Sequence, residues 1–407
     1  MGVIIKMAWD NIWRSKTRSW VVILSIVVGV WAVIFLMALT LGMGDSYVKT
    51  AIRNQFSHIQ LHHPRFQEDQ SAGFYIPYDS MRLLVNSDIN SSTARLILYG
   101  MLSTGHGSRG VKIKGILPYK ENRLSGIADK IVQGHYLTSE DQSGILISEK
   151  LTQKFKVTLK SRVVLTFQDS RGEMKSSVFR IAGIYNTGNA MVDENQVLVN
   201  ESGIRPLIFA DSIPVNAFHE IAIEQKHVSM VDSTQRILKQ QLPGVLVENY
   251  REIAPDLAMM ESQIRISGLI FIGIFMLALI FGIINTMLMA VLERYRELGM
   301  LQAIGMEKTK VFGMIVLETI FLSIVGVPIG FLLGWISVSM LQVNGLDVSI
   351  FSKGNEQFGI ANRIFPILDG GLFIQLAIAV AMTALLASIY PAIKAIKLSP
   401  VVAIRKI

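Results

Sequence analysis

Four apolar runs govern what this chain can fold into. Trp20 to Leu41, Ile266 to Leu292 and Leu372 to Tyr390 contain no charged residue, and Val311 to Leu341 holds one acid, Glu318. Each reaches or approaches the ~20 residues that a helix needs to cross a bilayer. Composition agrees: 51% of the 407 residues are hydrophobic and 17% charged, too apolar for a soluble enzyme of this size. The first run is too long for a signal-peptide core and no small-x-small cleavage site follows it, so it reads as an uncleaved anchor. The expected fold is a multi-pass α-helical membrane protein with four transmembrane helices.

Orientation follows from where Lys and Arg collect. Lys6, Arg14, Lys16 and Arg18 precede the first run; Arg294, Arg296, Lys308 and Lys310 lie between the second and third; Lys394, Lys397, Arg405 and Lys406 follow the fourth. The loop between the third and fourth runs has only Lys353 and Arg363. Both termini and the 291–310 stretch are therefore expected to face the cytoplasm. Three regions follow: 1–44, with a cytoplasmic amphipathic helix and the first span; 45–262, a large extracytoplasmic domain; and 263–407, with the other three spans. The net charge of +8 partly reflects this inside bias and does not point to nucleic acid. With no cysteine, the outer domain must hold together by its core, which its size permits.

Within the outer domain, period-two alternation in "FSHIQLHH" predicts a half-buried strand. "RLILYGMLS", "GVKIKGILP" and "HEIAIEQ" read as further strands, and a helical stalk is expected to continue from the first span through Arg53. "ISEKLTQKF" predicts a short helix capped by Ser148. "RVVLTFQD" and "KSSVFRIAGIY" flank a tight turn over Ser170 to Glu173, and a helix is expected over Val231 to Gln241. The domain is expected to be α+β, in two small lobes.

Candidate chemistry is sparse. Gly105, Gly107 and Gly110 match G-x-G-x-x-G, but a strand pattern follows where a dinucleotide site needs a helix, so a hairpin turn is expected. His58, His62 and His63 lack a neighbouring carboxylate or thiol to complete a metal shell and read as solvated strand residues. The chain has no G-x-x-x-x-G-K-[ST], G-x-S-x-G or H-E-x-x-H pattern, and its sequons at Asn90 and Asn200 are at chance level. Glu318, the intramembrane acid, marks either function or a structural hydrogen bond of a protonated or bonded carboxyl. Pro328 is expected to kink its span.

Two peripheral elements are more informative. Ile5, Trp9 and Trp13 form one stripe, with Ile4, Ala8 and Ile12 beside it, and Asp10 can pair with Arg14. Such a helix suits the membrane surface, its tryptophans at headgroup depth. The second element lies between two spans. In "VLERYRELGMLQAIGMEKTK", Leu298, Leu301 and Ile304 make an apolar seam flanked by Glu293, Arg294, Arg296 and Glu297, with Gly305 placed as a C′ cap. So short a helix is marginal alone in water and needs a docking partner.

These residues resemble a known family. "ERYRELGMLQAIGMEKTKV" is similar to the segment after the second span of MacB/FtsX-type ABC transporter permeases. "AWDNIWRSKTRS" and "YPAIKAIKLSPVVAIR" resemble the family's entry and tail, and "SHIQLHHP", "VKIKGILP" and "GILISEKLTQKFKV" its outer domain, closest to the lipoprotein-releasing (LolC/LolE-like) branch. The resemblance implies a permease subunit of the inner membrane rather than an enzyme. It would pair with a second permease subunit, as homodimer or heterodimer, and bind a separate cytoplasmic ABC ATPase that carries the ATP and Mg. No cofactor is expected in this chain. The segment at about 293–305 would be a coupling helix, with Arg294, Glu297, Leu298, Gly299, Leu301, Ile304 and Gly305 coupling to the ATPase. ATP-driven motion would reach the outer domain by mechanotransmission. Lipoproteins or other envelope cargo are the implied clients. Two alternatives stand: MacB-like drug or peptide export with an outer-membrane partner, and FtsX-like control of a cell-wall hydrolase. The tight 169–175 hairpin departs from the branch by leaving no room for an extended chaperone-recruiting hook.

No pair of spans offers the scattered polar lining of a hydrophilic path. Cargo is therefore expected to enter from the outer side, with Val33, Phe271 and Phe275 lining a lateral gate. Gly29, Gly268, Gly273 and Gly282 suggest close helix packing.

Overall fold

A computed structural model of the protein describes residues 2–14, 16–77, 89–209, 216–351, 354, 363–368 and 370–397. In chain order, the helices that matter here are α1 (Gly2–Arg14), α2 (Lys16–Ala51), α3 (Pro118–Ser125), α4 (Glu149–Phe155), α5 (Val231–Gln241), α6 (Pro255–Glu293), α7 (Tyr295–Ala303), α8 (Lys308–Asn344) and α9 (Gly370–Ile396). The chain divides into two compact units. One comprises Met1–Gly44, Ser262–Leu346 and Arg363–Ile407; the other comprises Asp45–Glu261 and Asp347–Asn362.

The first unit is helical. Its four helices long and apolar enough to span a bilayer run over Ser19–Phe56, Pro255–Glu293, Lys308–Asn344 and Phe373–Ile396. A π-helical turn, Ile52–Phe56, extends α2 past its α-helical end, so the predicted stalk is present. Packing between α2 and α8 rests on small residues in α8. Gly326, Gly330 and Gly334 recur every four residues and so share one face of α8. A Cβ placed on them would come within 2.9 Å of Ile26, 2.8 Å of Val30 and 2.9 Å of Ile34. Small residues at this spacing let two helix backbones approach closely, which in lipid replaces a hydrophobic driving force with van der Waals contact. α8 runs through Pro328 without ending. Gly29 packs on Leu279 and Gly268 on Met37, whereas Gly273 and Gly282 have no neighbour within 4 Å of a built Cβ. The close packing expected of those two is not made within the described chain.

The second unit is built on one ten-stranded mixed sheet. Its strands are β1 (Ile59–His62), β2 (Ile89–Thr104), β3 (Gly107–Ile116), β4 (Ile131–Gly134), β5 (Gly144–Ser148), β6 (Arg162–Gln168), β7 (Met174–Tyr185), β8 (Gln196–Asn200), β9 (Glu220–Gln225) and β10 (Leu246–Asn249). The order is β10-β1-β9-β2-β3-β8-β5-β7-β4, with β6 joining β2 and β7. Most neighbours are antiparallel, while β3–β8 and β5–β7 are parallel. One continuous sheet replaces the two lobes expected, because strands from both halves of the sequence alternate in its order. Gly105 and His106 turn between β2 and β3, with Thr104 opposite Gly107. Ser148 caps α4 by accepting from the Leu151 amide at 3.1 Å. The Asp169 carboxylate accepts from the amides of Arg171 and Glu173 at 2.8 and 2.9 Å, which keeps the β6–β7 turn short.

The expectation of solvated histidines is corrected. β1 is buried along its whole length, His62 included, as is His58 just before it: β9 and β10 pair with its two edges, His62 stacks on Phe66 at 5.6 Å and His58 meets Tyr250 edge-on at 6.5 Å. His62, Glu220 and Arg95 stand opposite one another across three strands. The Arg95 guanidinium grips Glu121 of α3 through two bonds of 2.7 and 2.8 Å and Glu220 through one of 2.6 Å. Burial and the neighbouring Arg95 leave Lys114, on the adjacent strand, with a pKa pushed down to about 7. His219 is fully buried; its Nδ1 accepts from the Ile97 amide at 2.9 Å, and its Nε2 lies 3.1 Å from the Ala72 carbonyl. A ring that accepts at one nitrogen and donates at the other is neutral, and burial holds its pKa down at about 4. No group of three or more candidate metal ligands occurs among the described residues.

These shifts set an acid limit on the unit. Burial lowers His219 from 6.5 to about 4, and Arg95 holds Glu220 at about 2 against an ordinary 4.5, despite its burial. Both groups bind fewer protons folded than unfolded, so stability rises with pH. The His219 contribution disappears as pH falls from 6.5 to about 4, and that of Glu220 as it falls from 4.5 to about 2. Calorimetric melts of the full chain should show the α/β transition losing on the order of 3 kcal/mol across the histidine window. His219→Gln should flatten the curve there; an unchanged slope in that variant would assign the acid sensitivity to other groups.

Candidate coupling site

The site is the charged turn-around between the second and third spans. α6 ends at Glu293, and Arg294 leaves helical geometry at φ −99°, ψ 22° before α7 begins. At the far end Gly305 adopts φ +99°. The Gly305 amide donates to Gln302 O at 3.1 Å and the Met306 amide to Leu301 O at 3.0 Å. That bond pair is the Schellman stop, and Gly305 is its C′ residue, where a Cβ would strain the left-handed backbone.

Behind α7 lies a closed ring of polar contacts. Asn11 Nδ2 donates to Glu318 Oε1 at 2.7 Å, and Arg294 Nη1 donates to the same oxygen at 3.0 Å. Arg294 Nε reaches Glu297 at 2.9 Å, and Arg14 Nη2 meets the other Glu297 oxygen at 3.1 Å. Asn11 and Arg14 are both on α1, so four contacts tie α1, α7 and α8 together. The Glu318 side chain is only 6% exposed and that of Arg294 16%. A buried ion pair is weak evidence of net stability, but removing one partner strands the other, which costs several kcal/mol. Glu318 is thus held by a cation and an amide, the hydrogen-bonded form of the structural reading. Arg14 pairs with Glu297 in place of the Asp10 partner expected from helix spacing.

α1 packs against α8. Ala8 and Ile12 are buried, and Trp9 meets Phe321 edge-on at 5.5 Å. Ile5, Trp9 and Trp13 stay 46%, 42% and 39% exposed. Asn11 was legible as an anomaly, a polar residue beside Ala8 and Ile12 on the buried face, but its partner was not.

The expected apolar seam is redistributed. Leu298 is 2% exposed and lies in the core of the helical unit, with Leu301 half-buried against it. Gly299 is also buried. Ile304 is 82% and Met300 52% exposed, so the exposed apolar face runs through Met300, Ala303 and Ile304. A single seam at i, i+3 and i+6 drifts around the helix, which sets its two ends about 120° apart, and Ile304 already lies past the helix end as the C-cap. Val33 is 1% exposed and packed inside the unit, so it cannot line a lateral gate; Phe271 is exposed and Phe275 half-buried. The tail motif beyond residue 397 lies outside the described residues.

Residues 19–240 match the MacB-like periplasmic core domain and residues 269–400 the FtsX-like permease C-terminal domain. The chain belongs to the MacB/FtsX-type ABC transporter permeases and is an integral membrane protein. It is similar to the uncharacterized ABC transporter permease YvrN of Bacillus subtilis, 23% identical over 98% of both chains. It is also similar to the uncharacterized ABC transporter permease MJ1507 of Methanocaldococcus jannaschii, 23% identical over 83% of this chain and 84% of that one. The macrolide export ATP-binding/permease protein MacB of Brucella abortus is 28% identical over 45% of this chain and 27% of its own length.

The ring makes a graded prediction. Glu318→Ala takes from Arg294 one of its two carboxylate partners and from Asn11 its acceptor, and should cost about 3 kcal/mol, read as a lower melting temperature in detergent. Glu318→Gln keeps an acceptor for Asn11 and Arg294, and Arg294 retains Glu297, so its loss should be less than half as large. Equal losses in the two variants would show that charge at Glu318, not hydrogen bonding, is what the ring requires.

Proposed function

We propose that this chain is the permease subunit of an ABC transporter in the cell inner membrane, with both termini cytoplasmic. A separate cytoplasmic ATPase carries the ATP and Mg and receives α7 in a surface cleft. The observation that carries this reading is the free apolar face of α7, with Ile304 at 82% exposure, on a helix braced from behind. A nine-residue helix does not hold itself in water; here Leu298, the Gly305 stop and the Arg294–Glu297–Glu318 contacts hold it. A helix so anchored transmits a push instead of fraying.

The same reading accounts for the long helices. α2 has 36 residues and α6 has 39, or about 54 and 58 Å at 1.5 Å per residue. A bilayer core is only ~30 Å thick. Each helix continues unbroken beyond its apolar run, so displacement at the cytoplasmic ends is carried along a stiff rod to the extracytoplasmic α/β unit. The spans hold no scattered ionisable lining, which favours work on cargo outside the membrane, reached past Phe271 and Phe275. Lipoproteins awaiting release, exported drugs or peptides, and a cell-wall hydrolase fit this mechanism alike. Gentle co-purification separates them: lipid-modified protein, an outer-membrane channel or a hydrolase.

The coupling test uses the corrected face. Ile304→Asp and Met300→Asp should weaken ATPase association roughly 30-fold or more, as loss of about 2 kcal/mol at an interface hot spot does. The permease itself should keep its melting temperature. Leu298→Asp should instead lower that temperature, because it charges the permease's own core. Wild-type stimulation of ATP hydrolysis by Ile304→Asp would remove α7 from the coupling role.

A further inference from the structure

The outward face of the β6–β7 pair sets two like charges against each other. Arg162 and Arg180 are directly opposed across the strands, one step from the opposed pair Val163 and Phe179. Val163 and Phe179 are buried in the core of the α/β unit. Successive side chains of a strand point to opposite faces, so both arginines turn to the other side, where they are exposed. The core pair fixes the register: a slip of one residue would carry Val163 or Phe179 into water. Directly opposed side chains have Cβ atoms about 5 Å apart, and like charges so placed are destabilising.

No acid relieves that repulsion. Among the described residues neither arginine has an ion-pair partner, whereas other exposed cations do: Lys49 meets Asp45 at 2.7 Å and Lys239 meets Glu252 at 3.5 Å. Acids on the adjoining turns are engaged elsewhere. Asp169 and Glu173 hold Lys175 at 3.7 and 2.8 Å, and Asp141 accepts from Thr138 and lies 3.5 Å from His135. A third exposed cation, Lys160, adds to the charge. Its amide donates to Ile181 O at 2.9 Å, which holds its backbone beside Arg180. Lys160 also stands at φ +66°, where glycine is favoured, so its side chain is kept there at a conformational cost.

Beside the cations the same face turns apolar. Val164 and Val178 form the next opposed pair, with Val178 55% exposed, and Met101 of β2, opposite Thr166, is 46% exposed. Bare hydrocarbon next to concentrated positive charge suits a ligand that carries both a chain and an anion. A carboxylate brings one charge, whereas a phosphomonoester brings about −1.5 to −2 at pH 7 and three acceptor oxygens, enough for two guanidinium forks at once. The geometry points to an anion site on the α/β unit: Arg162 and Arg180 grip the phosphate of an amphiphile, Lys160 adds a third charge, and the ligand's hydrocarbon lies over Val164, Val178 and Met101. The ligand supplies the negative charge that the opposed arginines lack. The site is carried by one unit and needs neither the coupling role of α7 nor a membrane orientation, so either can fail alone.

Phenylglyoxal labelling of the full-length chain in a neutral detergent, mapped by peptide mass spectrometry, reads each arginine separately. Dihexanoylphosphatidic acid should slow labelling of Arg162 and Arg180 and leave the exposed Arg236 of α5 unchanged. Dihexanoylphosphatidylcholine, whose headgroup has no net charge, should protect neither, and inorganic phosphate should need a higher concentration. Arg180→Gln should raise the phosphatidic acid concentration that half-protects Arg162 roughly 10-fold or more, as loss of a charge-assisted hydrogen bond does. Val178→Ser should raise it roughly threefold or more and leave half-protection by inorganic phosphate unchanged. Neither variant should lower the melting temperature, and Arg180→Gln, which removes the opposed charge, should raise it. Equal potency of inorganic phosphate would remove the amphiphile and leave a free-phosphate site. Protection by none of the three compounds would give the arginines to an acidic protein and overturn the site. A lower melting temperature in Arg180→Gln would overturn it too, by making the arginine structural.

Discussion

A peptide group in hydrocarbon has no water to bond, so every stretch that crosses the bilayer must satisfy its own backbone. That constraint forces the four apolar runs into helices and leaves only side-chain shape to hold them together. Hydrophobicity cannot do it, because a lipid tail is as apolar as leucine. Close contact takes over. The glycines of α8 at 326, 330 and 334 let Ile26, Val30 and Ile34 of α2 seat directly on its backbone. The charged turn-around between the second and third spans is arranged on the frame so formed.

Two buried charge clusters among the described residues follow the same electrostatic logic. In the helical unit, Glu318 is surrounded by Asn11 and Arg294, and Arg294 is shared with Glu297. In the α/β unit, Arg95 is shared by Glu121 and Glu220. Desolvating an ion is expensive, so each is tolerated only with its bonding capacity used. The consequences differ. The Arg95 cluster joins α3 to the middle of a sheet and stiffens a single unit. The Glu318 ring joins three helices at the place where α7 presents a free apolar face, so it holds in position the surface assigned to coupling.

Much of the local structure was readable from residue order. Ser148 as a cap, Gly305 as a stop, the turns at 105–106 and 169–173 and the helix over 231–241 each depend on a few consecutive residues, and the structure has them all. Errors fell where long-range neighbours decide. β1 alternates apolar and polar residues, yet both faces are buried, because its polar side is covered as well: His62 stacks on Phe66 and bonds to the His219 carbonyl and to Gln60. Leu298 and Ile304 share a pattern in sequence but not a surroundings in space. Arg14 could have met Asp10 on its own helix and instead meets Glu297 on another.

By itself the sequence determined the four apolar spans, their charged flanks, six of the ten strands of the sheet with its two tight turns, and the family, since each is written in composition, period or a contiguous motif. Tertiary structure alone decided which side of α7 is exposed, that Glu318 is paired with Arg294 and Asn11, that Val33 is sealed inside, and that the strands of the α/β unit form one sheet. These outcomes depend on which residues distant in the chain come within a few ångströms of each other. Hydrogen bonds, ion pairs and close packing act only at that range, and a one-dimensional pattern does not specify their partners.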